Sequence, residues 1–243
     1  LTKKSELKLR FLHKNEIPEC TGHAKNILSL GAAGFIMQLT NSLVTICCNN
    51  ILSVTGGDIY ISVMTIISSV RQLVETPIHA MVEGTSPILS YNYGARKPDR
   101  VKKTIKCAMF YAEAIMLVGF LLFQFLPDKL LGLFSASEAM LAIGKPALRI
   151  ICFHFLLAGM SIILSSTFQA LGNGMFSLII SVCRQLVVLL PAAWLLSKTG
   201  NVNMVWWSFV IAELVSVTLS FVFFARLDKK IIEPMYDNAA AAQ

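Results

Sequence analysis

Six long apolar stretches alternate with short polar connectors along the chain. Each stretch reaches the roughly 20 residues that an α-helix needs to cross a bilayer. The pattern predicts transmembrane helices over 27–51, 58–80, 104–126, 145–171, 175–197 and 204–225. We expect the second helix to continue as a bent helix to about Asn92, because Pro77 and Pro87 interrupt its apolar pattern. The prediction is an all-α membrane protein with six transmembrane helices.

The composition agrees with this pattern. Of the 243 residues, 55% are hydrophobic and only 14% are charged, whereas a soluble domain carries about 25% charged residues. Membrane lipid must therefore surround much of the surface. The net charge of +7 would favour nucleic-acid binding in a soluble protein. Here the charges lie between apolar stretches, so we expect no nucleic-acid partner.

Basic residues are distributed unequally between the two ends of the predicted helices. Six helices place both termini on one side of the membrane. That side carries fifteen basic residues: Lys3, Lys4, Lys8, Arg10, Lys14, Lys25, Arg96, Lys97, Arg100, Lys102, Lys103, Lys106, Arg226, Lys229 and Lys230. The opposite side carries Lys129, Lys145 and Lys198. Since cytoplasmic loops are enriched in lysine and arginine, we predict a multi-pass protein with both termini in the cytoplasm.

Three regions follow from these patterns. We expect a basic cytoplasmic segment over 1–25, a transmembrane lobe over 26–226 and a cytoplasmic tail over 227–243. The chain begins at Leu1, and four alanines precede Gln243. We therefore expect a fragment of a longer protein with an artificial end.

Several charged residues fall inside the apolar stretches, where each would cost several kcal/mol if it faced lipid. Arg71 and Glu75 are four residues apart and so share one helix face. Arg184 and Glu213 lie in the fifth and sixth helices. Each pair is either a structural ion pair or part of a charged network that lines a translocation path or relays protons. Glu113 is expected to reach the membrane interface, and we assign it no role.

Two stripes of neutral polar residues recur at helical spacing. They provide hydrogen bonds between helices or line a cavity, and both interpretations stay open. Our predicted substrate-binding residues are Gln38, Asn41, Thr45, Ser161, Ser165 and Gln169.

The sequence contains no His-Glu-x-x-His, Gly-x-Ser-x-Gly or P-loop motif. The six cysteines have no metal-ligand spacing, and His154 is the one histidine deep within a predicted helix. We therefore expect no enzyme, no catalytic residue, no metal site and no cofactor.

Residues 85–97 read Thr-Ser-Pro-Ile-Leu-Ser-Tyr-Asn-Tyr-Gly-Ala-Arg-Lys. This segment resembles the Pro-Ile-x-x-Tyr-Asn-Tyr-Gly-Ala signature of the multidrug and toxic compound extrusion (MATE) family, in the branch found in Firmicutes and related bacteria. Phe-Gln-Ala-Leu-Gly-Asn-Gly at 168–174, and Arg184-Gln185 followed by Pro191, agree in order and spacing.

The resemblance implies the carboxy-terminal lobe of a twelve-helix, two-lobe transporter in the bacterial cytoplasmic membrane. Residues 1–25 would then link it to an amino-terminal lobe of the same protein. Family members export small cationic amphipathic compounds in exchange for H⁺ or Na⁺ by alternating access. The carboxylates of sodium-coupled members fall near Gln38 and near Gly159–Met160, where this chain has no acid. The resemblance therefore implies that the coupling acid lies in the amino-terminal lobe.

Two alternatives remain at this stage. A lipid-linked oligosaccharide flippase of the same superfamily would need a wide cationic cavity, whereas only Arg71 and Arg184 are deeply placed cations. A complete six-helix channel-like or structural protein would need no preceding half.

Overall fold

A computed structural model of the chain describes the backbone of residues 17–240. Most of the predicted segment 1–25 and the end of the predicted tail, 241–243, lie outside the described residues. The described part of the first helix includes Ile17 and so overlaps the segment assigned to the cytoplasm.

The described residues are helical throughout, with short connectors and no strand. The helices are α1 (Ile17–Gly56), α2 (Asp58–Gly94), α3 (Pro98–Phe125), α4 (Pro127–Gly132), α5 (Glu138–Ile151), α6 (Phe155–Ala170), α7 (Gly174–Val182), α8 (Leu190–Ser197), α9 (Val202–Val205), α10 (Trp207–Leu227) and α11 (Glu233–Ala240). A 3₁₀ turn, Cys152–His154, joins α5 to α6. Two π-helical segments join α7 to α8 and α10 to α11, at Cys183–Leu189 and Asp228–Ile232. The all-α prediction is confirmed.

Five segments are long and apolar enough to cross a membrane: Gly34–Gly56, Pro98–Phe125, Glu138–Ala170, Gly174–Ser197 and Val202–Tyr236. They overlap five of the six predicted helices. The 37 residues of α2 extend over about 55 Å, which is also long enough. Because α2 carries charged residues, its apolar character alone does not identify it as a span, and the count of six stays a prediction.

Two prolines lie inside α2 without ending it. Pro77 and Pro87 each lack an N–H, and their rings crowd the carbonyl groups of Leu73 and Glu83 one turn earlier. The helix nevertheless runs to Gly94, as the sequence predicted.

One motif behind the family resemblance forms a helix end. Phe168 is fully buried, and its carbonyl accepts a hydrogen bond from the N–H of Asn173, at 2.7 Å. Gly172 between them has a φ of 78°, a left-handed conformation that favours glycine. The motif therefore reverses the chain between α6 and α7.

The main hydrophobic core lies where α2, α3, α5 and α6 meet. Ile67, Met116, Leu148 and Phe155 are among its fully buried residues. In contrast, α1 joins the lobe through few buried side chains, including Val44 and Cys48, and many of its large apolar residues are exposed. The core therefore fixes α2 against α3 and α6, while α1 lies at the periphery.

Gly119 allows the close approach of α3 to α2. A Cβ atom at this position would lie 2.3 Å from Cγ1 of Val74. We expect Gly119→Ala to destabilise the protein by about 1–3 kcal/mol through overpacking, and Val74→Ala in the same protein to recover part of the loss. Thermal unfolding of the purified full-length protein in detergent measures both.

Gly84→Ala is the matched control, because no heavy atom lies within 4 Å of its new Cβ. The thermal unfolding midpoint of Gly84→Ala should stay unchanged or rise, since alanine favours helix formation more than glycine does. Equal midpoints for the two single variants would contradict the close packing at Gly119.

Candidate functional site

The predicted polar stripe on α1 is exposed to the outside of the lobe. The Asn41 side-chain amide donates to Oε1 of Gln38 at 3.0 Å, and the Thr45 hydroxyl donates to the Asn41 carbonyl at 2.9 Å. All three residues are exposed. Their side chains therefore share one face of α1 and point away from the core.

The predicted residues on α6 have different surroundings. Ser161 is buried, and its hydroxyl has no hydrogen-bond partner among the described residues. Ser165 is half-buried, and its carbonyl accepts from the Ser177 hydroxyl at 2.6 Å. Gln169 is exposed near the end of the helix. Because α1 packs mainly against α2, α7 and α8, the structure does not bring the two stripes together, and their role in substrate binding stays a prediction.

The predicted pair on α2 forms an ion pair that includes a third residue. Nε of Arg71 lies 3.3 Å from Oε1 of Glu75. The same carboxylate oxygen lies 3.5 Å from Nε2 of His154. His154 is 5% exposed and belongs to the 3₁₀ turn between α5 and α6. The cluster therefore connects α2 to the α5–α6 segment.

The orientation of the His154 ring determines where protons can lie. Nδ1 is 2.8 Å from the carbonyl oxygen of Ile151. A carbonyl group only accepts, so Nδ1 must donate. Nε2 and Oε1 of Glu75 would repel each other if both presented lone pairs. The ring thus turns Nδ1 to the Ile151 carbonyl and Nε2 to the Glu75 carboxylate.

The second predicted pair also forms. Nη1 of Arg184 lies 3.1 Å from Oε2 of Glu213, and the Glu213 side chain is only 4% exposed. Arg184 belongs to the π-helical segment and Glu213 to α10. The pair therefore joins two helices, as the structural alternative required.

The Glu113 side chain is half-buried. Its Oε2 is buried without a hydrogen-bond partner among the described residues, and its expected reach to the membrane interface stays a prediction. A Cβ atom at Gly159 would lie 2.9 Å from this oxygen, so the carboxylate lies against α6. It occupies the neighbourhood of Gly159–Met160, where the sequence itself has no acid. The missed signal was the position of Glu113 in the middle of an apolar helix.

His154 is the other residue whose role the sequence analysis missed. The available signal was its isolation deep within a predicted helix, where an ionisable group needs a partner.

Residues 34–195, more than half of the chain, match the family model MatE. The chain belongs to the MATE family. The predicted resemblance is therefore confirmed, and the family is one of membrane transporters rather than enzymes.

Related proteins match this MATE chain over only part of their own length. The multidrug export protein MepA of Staphylococcus aureus (strain bovine RF122 / ET3-1) is 25% identical over 187 residues, which cover 77% of this chain and 41% of MepA. MepA of Staphylococcus haemolyticus (strain JCSC1435) is 26% identical over 218 residues, covering 86% and 48%. The chain thus spans about half the length, or less, of the relatives it matches.

Solved MATE structures share the fold. A crystal structure of MATE in complex with MaL6 gives a TM-score of 0.83 at 23% identity, over 97% of this chain and 52% of that one. An outward-facing multidrug resistance MATE family transporter of the MOP superfamily gives 0.77 at 24% identity, over 85% and 46%. These likenesses establish the helical architecture of a MATE transporter.

The Arg184–Glu213 contact predicts a non-additive effect on stability. Arg184→Gln leaves a buried carboxylate without its cation, and we expect a loss of about 3–5 kcal/mol. The double variant Arg184→Gln/Glu213→Gln should recover most of this loss, because no unpaired charge remains. Thermal unfolding of the four proteins in the double-mutant cycle measures the coupling.

The exposed pair Lys145–Asp128 provides the control, with side chains 42% and 62% exposed. Its cycle should give less than about 1 kcal/mol. Strictly additive effects at Arg184 and Glu213 would refute the proposed coupling.

Proposed function

We propose that this chain forms the carboxy-terminal half of a proton-coupled multidrug exporter that works by alternating access. Three findings support this function. The chain belongs to the MATE family, its relatives are named multidrug export proteins, and it matches about half of their length. The missing half would be an amino-terminal lobe, with residues 1–25 as the linker. The excess of basic residues supports cytoplasmic termini in a bacterial cytoplasmic membrane.

The exposed stripe on α1 is the proposed contact surface for substrate. Gly57 forms the turn between α1 and α2. Gln38 on α1 and Thr76 on α2, the residue after Glu75, are separated from this turn by the same number of residues. Since both helices rise about 1.5 Å per residue, the stripe lies about as deep as the Arg71–Glu75 pair. Exposed amide groups at this depth would be costly against lipid, whereas a cavity between two lobes would hydrate them.

Ser161, Ser165 and Gln169 complete the proposed substrate contacts. In this conformation Ser161 lies in a helix contact, so it would need a rearrangement of α6 to become accessible. The primary candidates are therefore the residues on α1.

The contact at 3.5 Å between Oε1 of Glu75 and Nε2 of His154 supports proton coupling, because such a contact can hold one proton. Loss of this proton would leave two lone pairs facing each other across 3.5 Å. The carboxylate and the imidazole would then separate, and Arg71 alone would neutralise Glu75. Proton binding would thereby change the packing of α2 against the α5–α6 segment, which is the kind of linkage that an alternating-access exchanger requires.

Glu113 offers a second position for a proton along the same helix interface. On α3, Glu113 lies about 9 Å from Gly119 along the helix axis. Gly119 packs on Val74, the residue before Glu75. The two carboxyl groups therefore lie at different depths. Sodium coupling and a coupling acid in the amino-terminal lobe remain the competing hypotheses.

A flippase for lipid-linked oligosaccharides has weaker support. Its anionic pyrophosphate group would require uncompensated cations in the cavity. The deep cations Arg71 and Arg184 are each paired with a carboxylate, so neither provides net positive charge.

Transport by the full-length protein in proteoliposomes tests the proposed coupling. We expect a pH gradient to drive ethidium export and Glu75→Gln to lower the initial rate at least tenfold, because the neutral amide cannot exchange a proton. Glu83→Gln is the control, since Glu83 is an exposed carboxylate on the same helix. Unchanged export in Glu75→Gln would return the pair to a structural role, and export driven only by a sodium gradient would exclude proton coupling.

The α1 stripe predicts a change in apparent affinity. The double variant Gln38→Ala/Asn41→Ala should raise the KM for ethidium several-fold with a smaller change in kcat, because it removes side chains that contact substrate. Ser42→Ala is the control, since the Ser42 hydroxyl is exposed and donates to the Gln38 carbonyl. Equal KM values for the double variant and the control would remove the stripe from the binding site.

A further inference from the structure

A cavity of about 470 Å³ lies between the second half of α2 and the first half of α3. Ile88 and Asn92 line it from α2, and Arg100, Lys103 and Tyr111 line it from α3. None of the residues proposed for substrate or proton binding contributes to its wall. The cavity is therefore separate from the site described above.

The two ends of this cavity differ in chemistry. Arg100 and Lys103 lie in the first two turns of α3, at the end of the lobe that carries most basic residues. Tyr111 lies about 16 Å beyond Arg100 along the axis of α3. Tyr111 is 60% exposed and Ile88 is 50% exposed, so the apolar part of the wall opens onto the surface of the lobe. A ligand that fills the cavity must combine a charged group with an apolar chain.

The two cations at the outer end, Arg100 and Lys103, are not held in ion pairs with described side chains. Neighbouring Lys102 differs, because its ammonium group lies 3.0 Å from Asp228. The nearby carboxylate of Asp99 accepts a hydrogen bond from the Tyr236 hydroxyl, at 2.8 Å. Two cations thus remain available to an anionic ligand.

Asn92 provides an unused acceptor in the wall. The residue is 6% exposed, and its side-chain amide donates to the Ile88 carbonyl at 2.8 Å. Its Oδ1 has no hydrogen-bond partner in the described part of the chain. A buried acceptor without a partner is costly. Because Oδ1 is enclosed by the protein, a ligand hydroxyl group would satisfy it after the Asn92 side chain turns toward the cavity.

We propose that this cavity binds an anionic phospholipid with a hydroxylated headgroup, of the phosphatidylglycerol class. The phosphate lies between Arg100 and Lys103, and a headgroup hydroxyl donates to Asn92. One acyl chain lies along Ile88 and Tyr111. The lipid belongs to the leaflet on the basic side of the lobe, where anionic headgroups attract clustered lysine and arginine residues.

Native mass spectrometry of the full-length protein, delipidated and then mixed with equal amounts of phosphatidylglycerol and phosphatidylcholine, tests this proposal. We expect one phosphatidylglycerol to be retained in preference to phosphatidylcholine. Arg100→Ala/Lys103→Ala should lower this retention about thirty-fold, the loss expected for two cations beside an anionic headgroup. The control Lys97→Ala/Lys106→Ala removes the same charge from exposed positions outside this cavity and should retain the lipid.

A second pair of variants tests the acyl-chain part without changing charge. Ile88→Trp fills the apolar end, and we expect it to lower retention about tenfold. Tyr91→Trp places the same side chain on a 71% exposed position of α2 outside the cavity wall and should have no effect.

Three results would each overturn the proposal. The first is equal loss of lipid in the two charge variants, which would indicate general attraction to a basic surface. The second is equal retention of the two lipids. The third is displacement of the bound lipid by glycerol 1-phosphate at comparable concentration, which would indicate a site for soluble phosphate compounds.

Discussion

A charged group inside an apolar helix bundle loses its hydration, and only another charged or polar group of the protein can replace it. Arg71 and Arg184 show the consequence, because each contacts a carboxylate. The Arg184–Glu213 pair joins the π-helical segment to α10, while the carboxylate beside Arg71 contacts the α5–α6 segment. The need to neutralise buried charge thus fixes which helix faces meet, in addition to the apolar packing around Met116 and Phe155.

His154 changes the character of one of these contacts. An arginine–carboxylate pair is always charged near neutral pH, whereas an imidazole beside a carboxylate gains or loses a proton with the conformation around it. The 3₁₀ turn that carries His154 places the ring against α2 and leaves its other nitrogen on the Ile151 carbonyl. The same helix interface therefore contains an arginine–carboxylate pair and an imidazole.

The sequence predicted the features that depend on local patterns and failed where tertiary contacts decide. The four-residue spacing of Arg71 and Glu75 was sufficient to predict their contact. The continuation of α2 past Pro77 and Pro87 was also predictable from its pattern. Helix bounds were less accurate: α1 already includes Ile17, before its predicted start at 27, because hydropathy marks only the part of a helix that lies in hydrocarbon.

The contacts of His154 and Glu113 could not be predicted from the sequence. Each depends on which face of α2, α3 or α6 meets its neighbour, and a single periodic pattern does not specify that pairing. The carboxylate near Gly159 shows the limit well. The sequence has no acidic residue at Gly159 of α6, but the carboxylate of Glu113 on α3 lies beside this position.

The π-helical segment Cys183–Leu189 has a consequence for how this part of the chain tolerates change. The buried positions Ile180 and Gln185 are five residues apart, whereas Leu189 and Ala193 follow at steps of four. One turn therefore contains an additional residue, as π-helical turns do. Deleting one residue within this segment would restore an ordinary α-helical turn. The side chains of Leu190–Ser197 that point to the core would still point to it. The same deletion in α7 would rotate everything before it by about 100° relative to the core.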